Sequence, residues 1–113
     1  MPVAVREIDP LGLAALRRDG AVVVDVREPH EYTDGHVPCA RLVPLGVVER
    51  RVDEIRHQSR GDEPVYLICR TGVRSADAAR MLDRAGVPAV SVAGGTEAWK
   101  SAGLPVVTGS HAC

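Results

Sequence analysis

The sequence predicts a single α/β domain with a central, mostly parallel sheet of about five strands and helices on both faces. Candidate strands and helices alternate along the chain, which is the order of a parallel sheet with crossover helices. Some of the strands are apolar throughout, as strands buried on both faces are. The 113 residues, 45% of them apolar, suit one hydrophobic core rather than two. We therefore expect one domain over residues 1–113, with a core at 3–107 and a C-terminal tail at 108–113.

The first half of the chain predicts two strands that flank a helix. Residues 3–6 alternate weakly and predict a short strand. Asp9 fits a helix N-cap and Pro10 the first helical position, and an Asp-Gly pair at 19–20 ends the helix. The β-branched run at 21–26 predicts a buried strand. A short helical turn at 28–32 and a short strand at 40–45 follow.

The second half repeats the alternation around two further buried strands. Apolar residues at helical spacing predict a helix at 46–57, and the strand at 64–68 leads into Cys69. A helix is expected at 75–85, with Ser75 as its cap and Gly86 just beyond its end. The remaining elements are a strand at 89–92, a helix at 96–102 after a double-glycine turn, and an edge strand at 106–107.

Composition and charge argue against some classes of function. A formal net charge of −1 gives no general reason to bind nucleic acid or an anionic membrane. No run approaches the roughly 20 apolar residues that cross a bilayer, and no export signal is visible. The three cysteines, Cys39, Cys69 and Cys113, are therefore expected to be free thiols in a reducing, cytoplasmic environment. No histidine spacing suits a metal site, and we expect neither a metal nor a cofactor.

The strongest functional indication is the loop after the strand at 64–68. Cys69 leaves a buried strand, a tight loop with Gly72 follows, and a helix begins directly after it. The backbone N–H groups of such a loop and of a helix N-terminus converge on one point, where they stabilise an anion. Arg70 and Arg74 add positive charge. Because all of these features favour thiolate over thiol, we expect the pKa of Cys69 to lie below that of a free cysteine.

The length of this loop distinguishes between two kinds of anion. Four residues separate Cys69 from Arg74, whereas cysteine phosphatases have one residue more and hence a wider cradle for a tetrahedral phosphate. The shorter ring suits a substrate that presents a single outer sulfur atom, so it favours sulfur transfer. The alternative is a buried structural cysteine. The two arginines, Gly72 and the start of a helix together argue against that alternative.

At this loop the sequence resembles the rhodanese homology family. The segment Cys-Arg-Thr-Gly-Val-Arg-Ser at 69–75 is similar to the active-site loop of that family. Three other parts agree in order and spacing with the family pattern and, with the loop, cover nearly the whole chain. They are Val-Asp-Val-Arg-Glu at 24–28 with Glu-Tyr at 31–32 and Gly-His-Val-Pro at 35–38, then Pro44, and finally Val-Ala-Gly-Gly-Thr-Glu-Ala-Trp at 92–99 with Ala-Gly-Leu-Pro-Val at 102–106.

The resemblance implies a rhodanese-like fold and a covalent sulfur-transfer reaction. Cys69 would take sulfane sulfur from a small anionic donor such as thiosulfate, carry it as a persulfide, and pass it to cyanide or a thiol. Arg70 and Arg74 would bind the oxygens of the donor, and the N–H groups of the loop would hold the outer sulfur. The implied substrate-binding residues are Arg70, Thr71, Gly72, Val73, Arg74 and Ser75.

Four polar residues upstream of the loop form a second candidate set: Asp25, Arg27, Glu31 and His36. One interpretation places them at the substrate face. The other, which we favour, is structural: Arg27 pairs with Glu31 or Asp25 and fixes the crossover. His36 has the chemistry of a general base, but nothing in the sequence places it near Cys69, and an ionised thiol needs no base.

Three further residues allow alternative interpretations. Cys39 stands where family members usually have a glycine; it is strained if the position needs a positive φ, and we expect a permissive position instead. A second hypothesis makes Cys39 a resolving thiol for oxidised Cys69. Cys113 is expected to lie in an untethered tail. Trp99 is expected to pack in the core rather than against a ligand.

Four functions remain open on the sequence alone. The first is a sulfurtransferase of thiosulfate type. The second is a sulfur-relay partner, which accepts persulfide sulfur from one protein and hands it to another. The third is a non-catalytic regulatory domain, against which the intact Cys69 argues. The fourth is a phosphatase or arsenate reductase, which the short loop disfavours.

Overall fold

A five-stranded sheet in which every strand pair is parallel forms the centre of the protein, in a computed structural model that describes residues 4–113. The strands are β1 (Arg6–Ile8), β2 (Val23–Asp25), β3 (Arg41–Leu42), β4 (Val65–Ile68) and β5 (Ala89–Val92). Their order across the sheet is β1-β5-β4-β2-β3. The predicted α/β class and parallel sheet are confirmed. The middle strand is β4, so the residue that follows it lies at the centre of the carboxyl edge.

Helices cover both faces of the sheet. They are α1 (Pro10–Arg18), α2 (Pro29–Thr33), α3 (Leu45–Val48), α4 (Val52–Gln58), α5 (Val73–Arg84) and α6 (Gly95–Ser101), with a 3-10 turn at Glu49–Arg51. One core cluster joins the sheet to α3, α4 and α5 through Val48, Ile55 and Leu82. A second cluster joins it to α1 and α6 through Leu13 and Trp99, which is a core residue as predicted. Across residues 4–113, no helix is long and apolar enough to cross a bilayer.

Local sequence signals set the ends of the helices. Asp9 caps α1 by accepting a hydrogen bond from Gly12 N at 2.7 Å, as predicted. Gly86, with a φ of 83°, follows the C-cap of α5, also as predicted. The prediction that Ser75 caps α5 is wrong, because the helix begins at Val73 with Gly72 as its N-cap. Gly72 has a φ of 110°, which glycine adopts easily, so the chain turns from the loop directly into the helix.

The boundaries of other elements differ from the sequence prediction. The first strand, expected at 3–6, is found at Arg6–Ile8, and Val3 lies outside the described residues. The helix expected at 46–57 is divided into α3, a 3-10 turn and α4, while its apolar face is kept. In place of an edge strand at 106–107, Val107 forms an isolated antiparallel bridge with His36.

The C-terminal tail is anchored to the domain, which corrects the expectation of an untethered tail. Gly109 N–H donates to Thr33 O at 2.9 Å, and Cys39 N–H donates to Ala112 O at 2.6 Å. A disulfide joins Cys39 to Cys113, whose Cα atoms lie 4.4 Å apart. The expectation that all three cysteines are free thiols is therefore wrong.

Cys39 also differs from the sequence prediction in its backbone. Its φ is 69°, in the left-handed region, and it is the only non-glycine residue between 4 and 113 with a positive φ. The position is thus one that favours glycine, and the expectation of a permissive position is wrong. Because Cys39 is bonded to Cys113, the structure also contradicts its proposed role as a resolving thiol for Cys69.

Candidate active site

Cys69 lies directly after β4, at the centre of the carboxyl edge of the sheet. Only 1% of its surface is exposed, so its sulfur lies at the base of the loop. Gly72 N–H donates a hydrogen bond to Sγ at 3.0 Å, and the Ser75 hydroxyl lies 3.4 Å from Sγ. The sulfur therefore accepts a hydrogen bond from the loop, and when ionised it can accept another from the Ser75 hydroxyl in the first turn of α5.

Burial and hydrogen bonding act in opposite directions on the Cys69 thiol. Burial raises its pKa, because it penalises the charged form. The hydroxyl of Ser75 and the N–H groups of Ser75, Gly72 and Thr71 lower it, and together they outweigh burial. The pKa of Cys69 therefore lies below the ordinary value for cysteine, which favours the nucleophilic thiolate.

Two carbonyl groups of the loop, those of Cys69 and Arg70, are bonded to the start of α6. Thr96 donates twice to Cys69 O, through its N–H at 2.8 Å and its hydroxyl at 3.0 Å. Glu97 N–H donates to Arg70 O at 3.1 Å. Because the C=O and N–H of a planar trans peptide point in opposite directions, holding Arg70 O on α6 turns Thr71 N–H toward the sulfur. The α6 N-terminus thus fixes the orientation of the donors around Cys69.

Close contact between the loop and α6 depends on Gly95. A Cβ atom at this position would lie 2.5 Å from Arg70 O and closer still to Cys69 O. The φ of Gly95 is 60°, which also disfavours other residues. The double glycine was expected only to make a tight turn, and the structure shows that Gly95 also lets α6 approach the loop.

Both arginines of the loop are paired with carboxylates. Arg74 donates from Nη1 and Nη2 to the two oxygens of Glu31, at 2.6 and 2.8 Å. Arg70 Nε donates to Glu97 Oε1 at 2.8 Å in a more exposed pair. Hydrogen bonds from the Arg74 side chain lower the pKa of Glu31 from 4.5 to about 2, so this carboxylate stays charged. Carboxylates at hydrogen-bonding distance therefore balance the positive charge that the sequence predicts around Cys69.

Of the four upstream candidates, Glu31 is the one whose side chain bonds to the 69–75 segment within residues 4–113, through Arg74. Arg27 and Asp25 form a buried pair, in which Nε and Nη2 of Arg27 donate to the carboxylate at 3.0 and 2.9 Å. Arg27 Nη2 also donates to Gly35 O at 2.9 Å. These contacts join the end of β2 to the segment after α2.

His36, the fourth upstream candidate, is hydrogen-bonded to the C-terminal tail. It is fully buried, with its ring stacked on that of Tyr32 at a centroid distance of 3.6 Å. Its ring nitrogens Nδ1 and Nε2 each lie 2.9 Å from a carbonyl oxygen, of Tyr32 and of His111 respectively. Within residues 4–113, none of its hydrogen bonds reaches the Cys69 loop. His36 therefore holds the C-terminal tail, and the geometry gives it no role as a base for Cys69.

A cleft of about 260 Å³ borders the loop on the side of α2 and α6. Its walls carry charged groups of both signs and one hydroxyl. They are Arg27, Glu31, Asp34, Arg70, Thr96, Glu97 and Lys100. Arg70 belongs to both the loop and the cleft, so the cleft lies beside the residue that follows Cys69.

Sequence reasoning missed three residues of this arrangement: Ser91, Thr96 and Glu97. Thr96 and Glu97 lie in the first turn of α6, a short turn beyond the end of β5, and β5 neighbours β4, so parallel topology brings them beside Cys69. The signal for Ser91 was a hydroxyl within an otherwise apolar strand, where its Oγ bonds to Ser75 Oγ at 2.7 Å.

Comparison with known proteins identifies this arrangement. The profile of the Rhodanese-like domain family matches residues 10–102, which include β2, the Cys69 loop and the whole of α6. The chain belongs to the rhodanese-like domain family. The rhodanese-related protein of Thermoplasma volcanium, a solved crystal structure, superimposes with a TM-score of 0.77 at 32% identity, over 90% of this chain and 97% of that one.

Two curated relatives of this rhodanese-like chain have named activities. A protein named Sulfurtransferase, from Allochromatium vinosum, is 35% identical over 91% of this chain and 95% of its own length. A protein named Thiosulfate sulfurtransferase GlpE, from Actinobacillus pleuropneumoniae, is 33% identical over 82% of this chain and 83% of its own length. In three other curated relatives the matched region spans only 40 to 60% of their length.

Proposed function

We propose that this protein is a sulfurtransferase that carries sulfane sulfur as a persulfide on Cys69. The observation that carries this proposal is the set of donors on the sulfur: Gly72 N–H at 3.0 Å and the Ser75 hydroxyl at 3.4 Å, with the loop carbonyls held on α6. Such donors stabilise an attacking thiolate, and they suit the anionic outer sulfur of a persulfide equally well.

The reaction has two half-reactions that need no added proton. The Cys69 thiolate attacks the outer sulfur of a donor such as thiosulfate; a new S–S bond forms, the S–S bond of the donor breaks, and sulfite leaves with the electron pair. A thiolate or cyanide then attacks the outer sulfur of the persulfide, and the Cys69 thiolate is released. Ping-pong kinetics are the expected signature of this scheme.

Intact-mass analysis after treatment with thiosulfate tests this proposal. The parent protein is expected to gain one sulfur atom, and Cys69→Ser is expected to gain none. The variant retains Cys39 and Cys113, so it also controls for sulfur added at the disulfide. A parent protein that gains no sulfur from thiosulfate or from any persulfide donor would contradict the proposal.

A second candidate, transfer from a protein-bound persulfide, is favoured by the pairing of the arginines. The fork of Arg74 is already bound to Glu31, so it does not stand free to receive the oxygens of a dianion. A persulfide donor needs no such site, because its outer sulfur contacts only the loop. Rates of sulfur uptake from thiosulfate and from a persulfidated protein, compared at equal concentration, separate the two candidates.

A further inference from the structure

Ser91 places a hydroxyl in the middle of an apolar strand. It lies in β5 between Val90 and Val92 and is fully buried. A buried hydroxyl is costly unless it forms a hydrogen bond. Its Oγ lies 2.7 Å from Ser75 Oγ, and within residues 4–113 this is its one side-chain hydrogen bond. The buried hydroxyl of Ser91 is thus directed at the first turn of α5.

Ser75 stands between Ser91 and the sulfur. Its Oγ lies 3.4 Å from Cys69 Sγ and 3.2 Å from Gly72 O. A hydroxyl has a single hydrogen to donate and can accept two hydrogen bonds. Three acceptors therefore compete for the hydrogen of Ser75: the sulfur, Gly72 O and Ser91 Oγ. Only one of these choices stabilises the thiolate.

We propose that Ser91 is a positioning residue for the Cys69 thiolate, because its hydroxyl donates to Ser75 Oγ and directs the hydrogen of Ser75 to the sulfur. If Ser75 donated to Ser91 instead, the buried O–H of Ser91 would have no acceptor, which is unfavourable. Donation by Ser91 removes it from the competing acceptors and polarises the O–H of Ser75. The inference rests on the proposed role of Cys69 as a thiolate.

Ser91 acts apart from the charged groups around the loop. These groups include three ion pairs, and in the described part of the chain the one side-chain hydrogen bond of Ser91 goes to Ser75 and to none of them. They are Arg74–Glu31 between α5 and α2, Arg70–Glu97 between the loop and α6, and Arg27–Asp25 at the end of β2. A substitution at position 91 therefore leaves the charges that face Cys69 in place.

The test compares Ser91→Thr with Ser91→Val, which have nearly the same shape and differ in the hydroxyl. The rate at which iodoacetamide alkylates Cys69 is measured against pH on the Cys69 peptide by mass spectrometry, which excludes Cys39 and Cys113. Below the pKa of Cys69, we expect Ser91→Val to react about threefold more slowly than Ser91→Thr. Equal pH profiles for the two variants would overturn the inference. The smaller variant, Ser91→Ala, should match Ser91→Val.

A double-mutant cycle shows whether Ser91 acts through Ser75. In a Ser75→Ala background, Ser91→Ala is expected to have no further effect on the alkylation profile, because the hydroxyl it positions is gone. An undiminished effect in that background would assign Ser91 a role in packing alone. Sulfur uptake by the parent protein is a separate observation, so its failure would count against the proposed function while the alkylation comparison still stands.

Discussion

At the scale of single residues, the site depends on Gly95 as much as on the cysteine. The chain beyond β5 has to pass close enough to the Cys69 loop for Thr96 and Glu97 to bind its carbonyl groups. A side chain at position 95 would occupy the space that Cys69 O and Arg70 O fill. The hydrogen bonds that turn the loop N–H groups toward the sulfur therefore require glycine at this point.

Gly95→Ala is expected to destabilise the fold and abolish sulfur uptake by Cys69. The methyl group would meet the backbone of the loop, so either the loop or α6 must move. Gly103→Ala is a matched control, because Gly103 has a similar φ of 75° but open space where its Cβ would lie. We expect Gly103→Ala to lower the free energy of unfolding by about 1 kcal/mol and Gly95→Ala by about 2 kcal/mol more.

Denaturant unfolding and intact-mass analysis after thiosulfate treatment measure the two effects. If Gly95→Ala and Gly103→Ala were equally stable and took up sulfur equally well, the close approach at Gly95 would have no functional importance.

At the scale of elements, the anchored C-terminal tail is the feature that the sequence did not predict. The disulfide between Cys39 and Cys113 closes a separation of 74 residues, and residues 107–112 bond to the last residue of α2 and to the segment that follows it. A crosslink over so long a loop restricts the unfolded chain, so it stabilises the folded state.

Cys113→Ser and Cys39→Gly are predicted to differ in stability although both remove the crosslink. We expect Cys113→Ser to lower the free energy of unfolding by about 2–4 kcal/mol under non-reducing conditions. Cys39→Gly should lose about 1 kcal/mol less, because glycine adopts the φ of 69° at this position without strain. Chemical denaturation with and without a reductant measures both; a parent protein whose stability is unaffected by reductant would contradict the crosslink.

The elements that the sequence predicted well are those whose pattern is local. The apolar runs that became β2, β4 and β5, the Asp9–Pro10 start of α1 and the end of α5 at Gly86 were all visible in short windows. The order of the strands across the sheet, β1-β5-β4-β2-β3, was not predicted, because it depends on pairing between distant segments.

What the sequence could not predict depends on contacts between distant segments. The pairings Arg74–Glu31, Arg70–Glu97 and Cys39–Cys113 each join residues far apart in the chain, and nothing in the spacing of these residues selects a partner. The loop with Cys69 was recognisable, but the charge balance around it was not. Ser75 shows why local rules are not sufficient. Its residue type favours a helix cap, but it lies inside the first turn of α5 and faces the sulfur.

At the scale of the whole molecule, the Arg74–Glu31 pair links folding stability to pH. It joins α5 to α2 and so holds the carboxyl edge of the sheet together. Hydrogen bonds from Arg74 lower the pKa of Glu31 to about 2 in the folded protein, against 4.5 when unperturbed. A carboxyl whose pKa is lower in the folded state binds protons more weakly there. Its contribution to stability is thus complete above pH 4.5 and is lost as the pH falls toward 2.

Glu31→Gln is expected to destabilise the protein at neutral pH. It should also weaken the dependence of the free energy of unfolding on pH between 4.5 and about 2. The pair is half-buried, with 20% of the Glu31 and 33% of the Arg74 side chain exposed, so solvent weakens the interaction. We expect a loss of about 1–2 kcal/mol in the free energy of unfolding at pH 7, measured by denaturant titration. At pH 3 the parent has lost most of this advantage, so the two proteins should be closer in stability.

Glu54→Gln is the control, because its exposed pair with Arg51 is screened by water and should contribute less. A difference between parent and Glu31→Gln that is constant from pH 7 to pH 3 would show that Glu31 stabilises the fold by packing rather than by its charge.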